Sequence, residues 1–114
     1  MRDCLFCKII NGKIPSNKVF EDEFTLAFRD INPAAPTHIL VIPKTHISGL
    51  NDLNNENINI MTKLISTARE ICDIEGIESE GYRCVINSGE YGGQTVFHLH
   101  LHVLGGRNLK WPPG

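Results

Sequence analysis

Polar and apolar residues alternate over Phe97–Leu104, near the end of the chain, up to the apolar pair Val103-Leu104. Side chains of a β-strand point alternately to its two faces, so this period of two predicts a strand. One face would point apolar side chains into a core: Phe97, Leu99, Leu101 and Val103. The other face would consist of three histidines: His98, His100 and His102.

Earlier in the chain, from Asn55 to about Gly76, the apolar residues have a helical period. Its apolar residues recur every three or four positions and predict one stripe packed on the core. They are Ile58, Met61, Leu64, Ile65, Ala68, Ile71 and Cys72. Asn54 or Asn55 can cap the start of this helix, and Gly76 can close its end.

Shorter patterns predict the remaining elements. Residues Cys4 to Asn11 suit a short helix that ends at Gly12. The predicted strands before the histidine strand are Val19–Glu21, Phe24–Arg29, His38–Ile42 and Tyr82–Asn87. We therefore expect one α+β domain over residues 1–114, with a five-stranded antiparallel sheet, one long helix and a short N-terminal helix.

Composition narrows the range of possible functions. The 114 residues are 41% hydrophobic and carry a net charge of −2, which gives no electrostatic basis for broad nucleic-acid binding. No apolar run approaches the length of a membrane span, and no signal-peptide pattern opens the chain. We expect a cytoplasmic protein, with a nuclear location left open. In that reducing setting Cys72 and Cys84 are predicted to be core residues, whereas Cys4-x-x-Cys7 has the spacing of a metal half-site.

The histidine face allows three interpretations: a solvated surface, a metal site, or nucleophilic catalysis at phosphorus. The Cα atoms of His98 and His102 would be roughly 13 Å apart on a straight strand, which disfavours one metal held by all three histidines. The preceding Gly92-Gly93-Gln94-Thr95 favours phosphorus chemistry, because glycines let backbone N–H groups approach an anion closely.

The sequence His98-Leu-His-Leu-His-Val-Leu104 resembles the signature of the histidine triad superfamily of nucleotidyl hydrolases and transferases. Asp30–Pro33, Pro36–Ser48 and Gly92–Val96 are similar to other blocks of that superfamily. The ending, Gly105-Gly106-Arg107 with Trp111-Pro112-Pro113-Gly114, resembles its branch of histidine triad nucleotide-binding proteins. The resemblance implies a homodimer in which two five-stranded sheets join.

The resemblance also implies roles for individual residues. His100 would attack the α-phosphorus of a purine nucleoside phosphoramidate, and water would then release the nucleoside monophosphate. His102 and His38 would support the reaction, and no cofactor would be required for it. The residues implied to bind the nucleotide are Asp30, Ile31, Asn87, Gly93, Gln94, Thr95, His100 and His102. Hydrolysis of dinucleoside polyphosphates, or a non-catalytic nucleotide- or zinc-binding regulatory role, are the alternatives.

Some members of the superfamily hold a structural zinc ion with residues that correspond to Cys4, Cys7, His46 and His98. Two cysteines and two histidines suit tetrahedral zinc. The alternative is a pair of reduced thiols on a short helix, and the sequence leaves this choice open.

Overall fold

The computed structural model describes residues 3–114, so Met1 and Arg2 of the predicted domain lie outside the described residues. The helices are α1 (Leu5–Ile10), α2 (Ile60–Ile74) and the single-turn α3 (Gly89–Gly92). A 3₁₀ turn covers Leu50–Asp52. The strands are β1 (Lys18–Glu21), β2 (Thr25–Arg29), β3 (Thr37–Pro43), β4 (Tyr82–Val85) and β5 (Leu101–Gly105).

The five strands form one antiparallel sheet in the order β1-β2-β3-β5-β4, which confirms the predicted α+β fold. The central strand β3 is buried along its whole length, as its almost continuously apolar sequence predicts. It pairs with β5 so that Leu40 faces His102 and His38 faces Leu104. This register places two of the predicted site histidines on adjacent strands.

Each face of the sheet has its own core. Helix α2 covers the face that carries Ala27, Ile39, Val41, Leu101 and Val103. Helix α1 covers the opposite face, where its Phe6 and Ile9 pack on Leu26, Phe28, Leu40 and Ile42. The histidines lie on the α1 side, because their positions alternate with those of the α2-side core.

Helix α2 starts five residues later than predicted. Asn54 does cap, but it caps a preceding turn, where its Oδ1 accepts hydrogen bonds from the amides of Glu56 and Asn57. The C-terminal prediction is confirmed: Gly76 has φ +70°, and the Ile77 amide donates to the Cys72 carbonyl, as in a Schellman cap.

The apolar stripe of α2 is narrower than predicted. Leu64, Ala68, Ile71 and Cys72 are buried in the α2-side core. The prediction is wrong for Ile58 and Ile65, which are 50% and 52% exposed. Ile58 precedes the helix, and Ile65 lies beside the sheet edge at β4, where none of the described residues forms a further strand to cover it.

Strand β5 begins at Leu101, four residues later than predicted. The prediction that Phe97 points into the core is wrong, since it is 54% exposed. Pro43 ends the partner strand, and proline has no amide hydrogen with which to extend the ladder. Residues 97–100 are held instead by a backbone hydrogen bond from Leu99 to Ile47 (2.6 Å) and by side-chain contacts of the histidines.

Strand β4 ends at Val85, two residues before the predicted end. Of the two cysteines predicted to be core residues, Cys72 is buried and Cys84 is exposed, so the second prediction is wrong. Burial raises the pKa of the Cys72 thiol to about 11, which keeps it protonated at neutral pH. Among residues 3–114, no helix is long and apolar enough to span a membrane.

Candidate active site

A directed chain of hydrogen bonds runs through two histidines of the site. The Ala34 amide lies 3.0 Å from His38 Nδ1 and can only donate, so Nδ1 must accept. The hydrogen of neutral His38 is then on Nε2, which lies 2.8 Å from His102 Nδ1. His102 Nδ1 therefore accepts, and its own hydrogen is on Nε2.

Asp30 lies beside the middle of this series of hydrogen bonds, at the His38 nitrogen that contacts His102. Its Oδ1 accepts a hydrogen bond from the Asn32 amide (2.8 Å), and its Oδ2 lies 3.5 Å from His38 Nε2. Burial lowers the pKa of His38, and the nearby Asp30 carboxylate opposes this effect only in part. His38 is therefore a neutral imidazole at neutral pH, and its contact with Asp30 does not join two charged groups.

Asp30, His38 and His102 also offer three potential metal-ligand atoms within 4.8 Å of one another. His38 Nε2 and His102 Nδ1, however, are 2.8 Å apart, which is a hydrogen-bond distance. The two nitrogens point at each other and not at a shared metal position. This group is consequently better suited to hold a proton than a metal ion.

His100 has a defined orientation and one free lone pair. Its Nδ1 donates to the carbonyl of His98 (2.7 Å), which leaves Nε2 without hydrogen in the neutral ring. The ring is 6% exposed and packs edge-on against Phe6, with 5.1 Å between ring centroids. Burial lowers the pKa of His100, so the ring is unprotonated and can act as a nucleophile at neutral pH.

His102 lies beside His100, with 5.0 Å between their ring centroids. Burial, followed by the proximity of His100 and His38, lowers the pKa of His102 to about 4. Its buried Nε2 has no hydrogen-bond partner in the part of the chain that the structure describes. The site thus sets an unprotonated nitrogen next to an N–H donor, as attack on phosphorus and stabilisation of a phosphoryl oxygen require.

The four residues with metal-ligand chemistry meet at one point beside α1. Cys7 Sγ lies 3.3 Å from His46 Nδ1 and 3.7 Å from His98 Nδ1, and Cys4 Sγ lies 3.5 Å from His98 Nδ1. Ligand atoms around a tetrahedral zinc ion are about 3.3–3.8 Å apart, given the usual zinc–ligand bond lengths. The donor set and its spacing therefore fit zinc.

His98 connects this cluster to His100. Its Nε2 is 2.8 Å from the Pro43 carbonyl and must donate to it, which leaves Nδ1 as the acceptor that faces the two thiols. Its own carbonyl receives the Nδ1 hydrogen of His100. His98 is fully buried, so the interpretation of this face as a solvated surface does not hold for it.

The other residues that the resemblance implies for nucleotide binding lie mostly on exposed loops. Ile31 is 92% exposed on the loop that follows Asp30. Thr95 and Gly93 are exposed after α3, and Gly93 has φ +91°, a conformation that favours glycine. Asn87 lies close to Gly93, with its Nδ2 3.8 Å from where a Cβ on that glycine would be.

Sequence reasoning missed several contributors to the site. Phe6 packs edge-on against both His98 and His100, yet in the sequence it is only one more apolar residue of a short helix. The Ala34 amide and the Pro43 carbonyl act through the backbone, so their side chains give no signal. Arg107 donates to the Ala34 carbonyl (2.9 Å) and thereby supports the Asp30 loop from the far end of the chain.

The model of the HIT domain family matches residues 11–109. A 14 kDa zinc-binding protein from Zea mays is 52% identical over 112 residues, with 96% of this chain and 87% of that protein covered. A purine nucleoside phosphoramidase from Escherichia coli is 46% identical over 107 residues, covering 94% of this chain and 90% of that one.

Among solved structures, a HIT family hydrolase from Legionella pneumophila superposes with a TM-score of 0.96. It is 51% identical, with 98% of this chain and 100% of that chain covered. The chain therefore belongs to the HIT family, as its histidine pattern indicates.

The pKa of His102 generates a prediction for acid stability. The unfolded chain binds a proton near the ordinary value of 6.5, whereas folded His102 binds one only near pH 4. Stability should therefore fall as the pH is lowered from 6.5 to about 4, with a contribution of at most about 1.4 kcal/mol per pH unit.

Guanidinium unfolding of the wild type and of His102→Asn at several pH values would measure this contribution. The asparagine Oδ1 can still accept from His38 but does not titrate, so the variant should show a shallower slope. Equal slopes, or an NMR titration of His102 with a midpoint near 6.5, would contradict the assignment.

Proposed function

We propose that this protein is a purine nucleoside phosphoramidase, which hydrolyses adenosine 5′-monophosphate joined to an amine. The observation that carries the proposal is the pairing of a free His100 Nε2 with an N–H on His102 Nε2, both held by hydrogen bonds to fixed partners. Membership of the HIT family and the name of the Escherichia coli relative support it.

The reaction proceeds in two displacements. His100 Nε2 attacks the α-phosphorus, the bond from phosphorus to the amine nitrogen breaks, and the departing amine takes up a proton from the solvent. A nucleotidyl-histidine remains. Water then attacks the same phosphorus and gives up a proton to the solvent, the bond to His100 breaks, and nucleoside monophosphate leaves while the imidazole is restored. His102 Nε2–H donates to a phosphoryl oxygen in both steps, where charge accumulates.

The surrounding residues bind the nucleotide. Asp30 accepts hydrogen bonds from the ribose hydroxyls, and the exposed Ile31 packs against the base. Asn87, Gly93 and Thr95 face the phosphate. The chemistry requires no metal at phosphorus, because N–H groups supply the electrostatic stabilisation.

Replacement of the nucleophile tests the mechanism. His100→Ala should lower kcat on an adenosine phosphoramidate by at least about 10³-fold, because no other group can form the covalent intermediate. The variant should still bind adenosine monophosphate by calorimetry, which shows that the site remains folded. A variant as active as the wild type would overturn the covalent route.

The same assay separates the alternatives. Wild-type protein that cleaves diadenosine polyphosphates faster than the phosphoramidate would identify a polyphosphate hydrolase. Protein that binds adenosine monophosphate but cleaves neither compound would favour a regulatory nucleotide-binding role.

We further propose that Cys4, Cys7, His46 and His98 hold a structural zinc ion. Their ligand atoms already have the spacing of a tetrahedral site, and the Pro43 carbonyl orients His98 as zinc sites commonly require. The ion would join α1 to the segments around His46 and His98. The name of the Zea mays relative supports this assignment.

Metal analysis tests the zinc site. Protein purified without chelator should contain about one zinc ion per chain, and Cys4→Ser combined with Cys7→Ser should reduce this to background and lower the melting temperature. Cys84→Ser changes an exposed cysteine outside the cluster and should retain the metal. Unchanged zinc in the double variant would remove these residues from consideration.

Two copies of the chain, we propose, associate through β4. This strand lies at one edge of the sheet, and a groove of about 390 Å³ beside it is lined by Ile65, Tyr82, Cys84 and Ile86, among others. The opposite edge, β1, carries the ion pair of Lys18 with Glu21, which discourages strand addition there. A two-fold axis beside β4 would bury the apolar groove and extend the sheet.

Light scattering tests the dimer. Ile65→Asp should convert it to a monomer, because a charge would be buried in the interface. Ile58→Asp is the matched control, since Ile58 is equally exposed but does not line the groove, and it should remain dimeric. A wild-type monomer at micromolar concentration would rule the proposal out.

A further inference from the structure

The side chain of Gln94 is buried, although it follows the exposed Gly92 and Gly93 and precedes the exposed Thr95. A polar side chain enclosed within an exposed loop needs partners, because an unsatisfied buried amide is costly. The partners of Gln94 show what it does in the protein.

All of the donors of the Gln94 amide are in use. Its Nε2 donates to the Ser48 carbonyl (2.8 Å) and to the Val96 carbonyl (3.2 Å), and its Oε1 accepts from the Gly89 amide (3.0 Å). These partners fix which end is nitrogen, since carbonyls only accept and a backbone amide only donates. No N–H of the Gln94 side chain remains for a phosphate.

Gly49 makes room for this arrangement. A Cβ at residue 49 would lie 3.2 Å from Gln94 Oε1 and 3.4 Å from Nε2, closer than a methyl group ordinarily packs. The backbone at Gly49 is extended, with φ −176°, so no left-handed conformation requires glycine there. We conclude that this glycine serves the close approach of the amide.

These bonds join three parts of the phosphate-facing loop. Gly89 begins α3, Val96 follows Thr95, and Ser48 belongs to the segment that also carries His46. Residues 95–100 form no strand, so no ladder places this loop relative to His100. The Gln94 amide therefore ties the loop to the segment around residues 46–49, in addition to the hydrogen bond from Leu99 to Ile47 and the ring contact between His46 and His98.

We propose that Gln94 is a positioning residue, whose side-chain amide holds the loop of residues 89–96 against Ser48 so that neighbouring groups, and not the amide itself, contact the phosphate. This inference rests on the function proposed above. It also assigns a role to a second residue, Gly49, which leaves room for the Gln94 amide.

The first test needs no substrate. Gln94→Met keeps the length of the side chain but removes both donors and the acceptor. Amide hydrogen exchange at Gly89 should then accelerate at least about tenfold, because this amide loses its bond to Oε1. Unchanged exchange at Gly89 would overturn the proposal, whatever the enzymatic activity of the protein.

The second test is kinetic. Gln94→Met and Gly49→Ala should each lower kcat on an adenosine phosphoramidate on the order of 10- to 100-fold, since small displacements of a reacting group have effects of this size. KM should change by no more than about threefold, because the phosphate ligands remain. A large rise in KM with unchanged kcat would instead identify Gln94 as a direct ligand.

A double-mutant cycle supplies the matched control. Gly49→Ala should have little effect in a Gln94→Ala background, because the shortened side chain leaves space for the new methyl group. Equal effects in both backgrounds would show that Gly49 acts independently and would refute the pairing. If the wild-type protein proves inactive, the proposed function fails. The role of Gln94 can still be tested by the hydrogen-exchange experiment and by the same double-mutant cycle with the free energy of unfolding as its readout.

Discussion

The hydrogen bond from the Ala34 amide to His38 Nδ1 sets the protonation pattern of the site. A backbone amide can only donate, so this bond determines which nitrogen donates and which accepts in each later hydrogen bond of the series. His38 must present its hydrogen to His102, and His102 must then carry its own on the buried Nε2, for which the described residues supply no acceptor. A loop alanine, held by Arg107 through its carbonyl, thus decides which nitrogen of His102 carries the hydrogen.

Burial of the site histidines also favours their neutral form. The site lies between β3, β5 and α1, and the rings of His38 and His100 are almost entirely enclosed. Enclosure disfavours the imidazolium form and lowers the pKa of His38, His100 and His102 alike. Neutral rings have distinct donor and acceptor nitrogens, whereas protonated rings would only donate. The apolar core under α1 therefore contributes to the chemistry as well as to the fold.

Much of this architecture can be read from the sequence, because it depends on local periodicity. The buried β3, the Gly76 cap and the five-strand sheet follow from patterns of a few residues. Motif resemblance brings together His46, His98 and the two cysteines, which no periodicity connects. What could not be predicted depends on partners distant in sequence. Phe97 alternates like a core residue, yet the end of β3 at Pro43 leaves it outside the sheet.

The early end of the β5 ladder has a consequence for redesign of this fold. Inside an antiparallel ladder, the backbone groups of alternate residues are bonded to the neighbouring strand. The carbonyl of His98 lies beyond β5 and accepts the ring hydrogen of His100 instead. An engineer who extended β5 back to Phe97 to regularise the sheet would add ladder bonds and could commit this carbonyl elsewhere. The irregular backbone here leaves a carbonyl free to orient the ring of His100, so a more regular strand would lose the contact that fixes which His100 nitrogen carries the hydrogen.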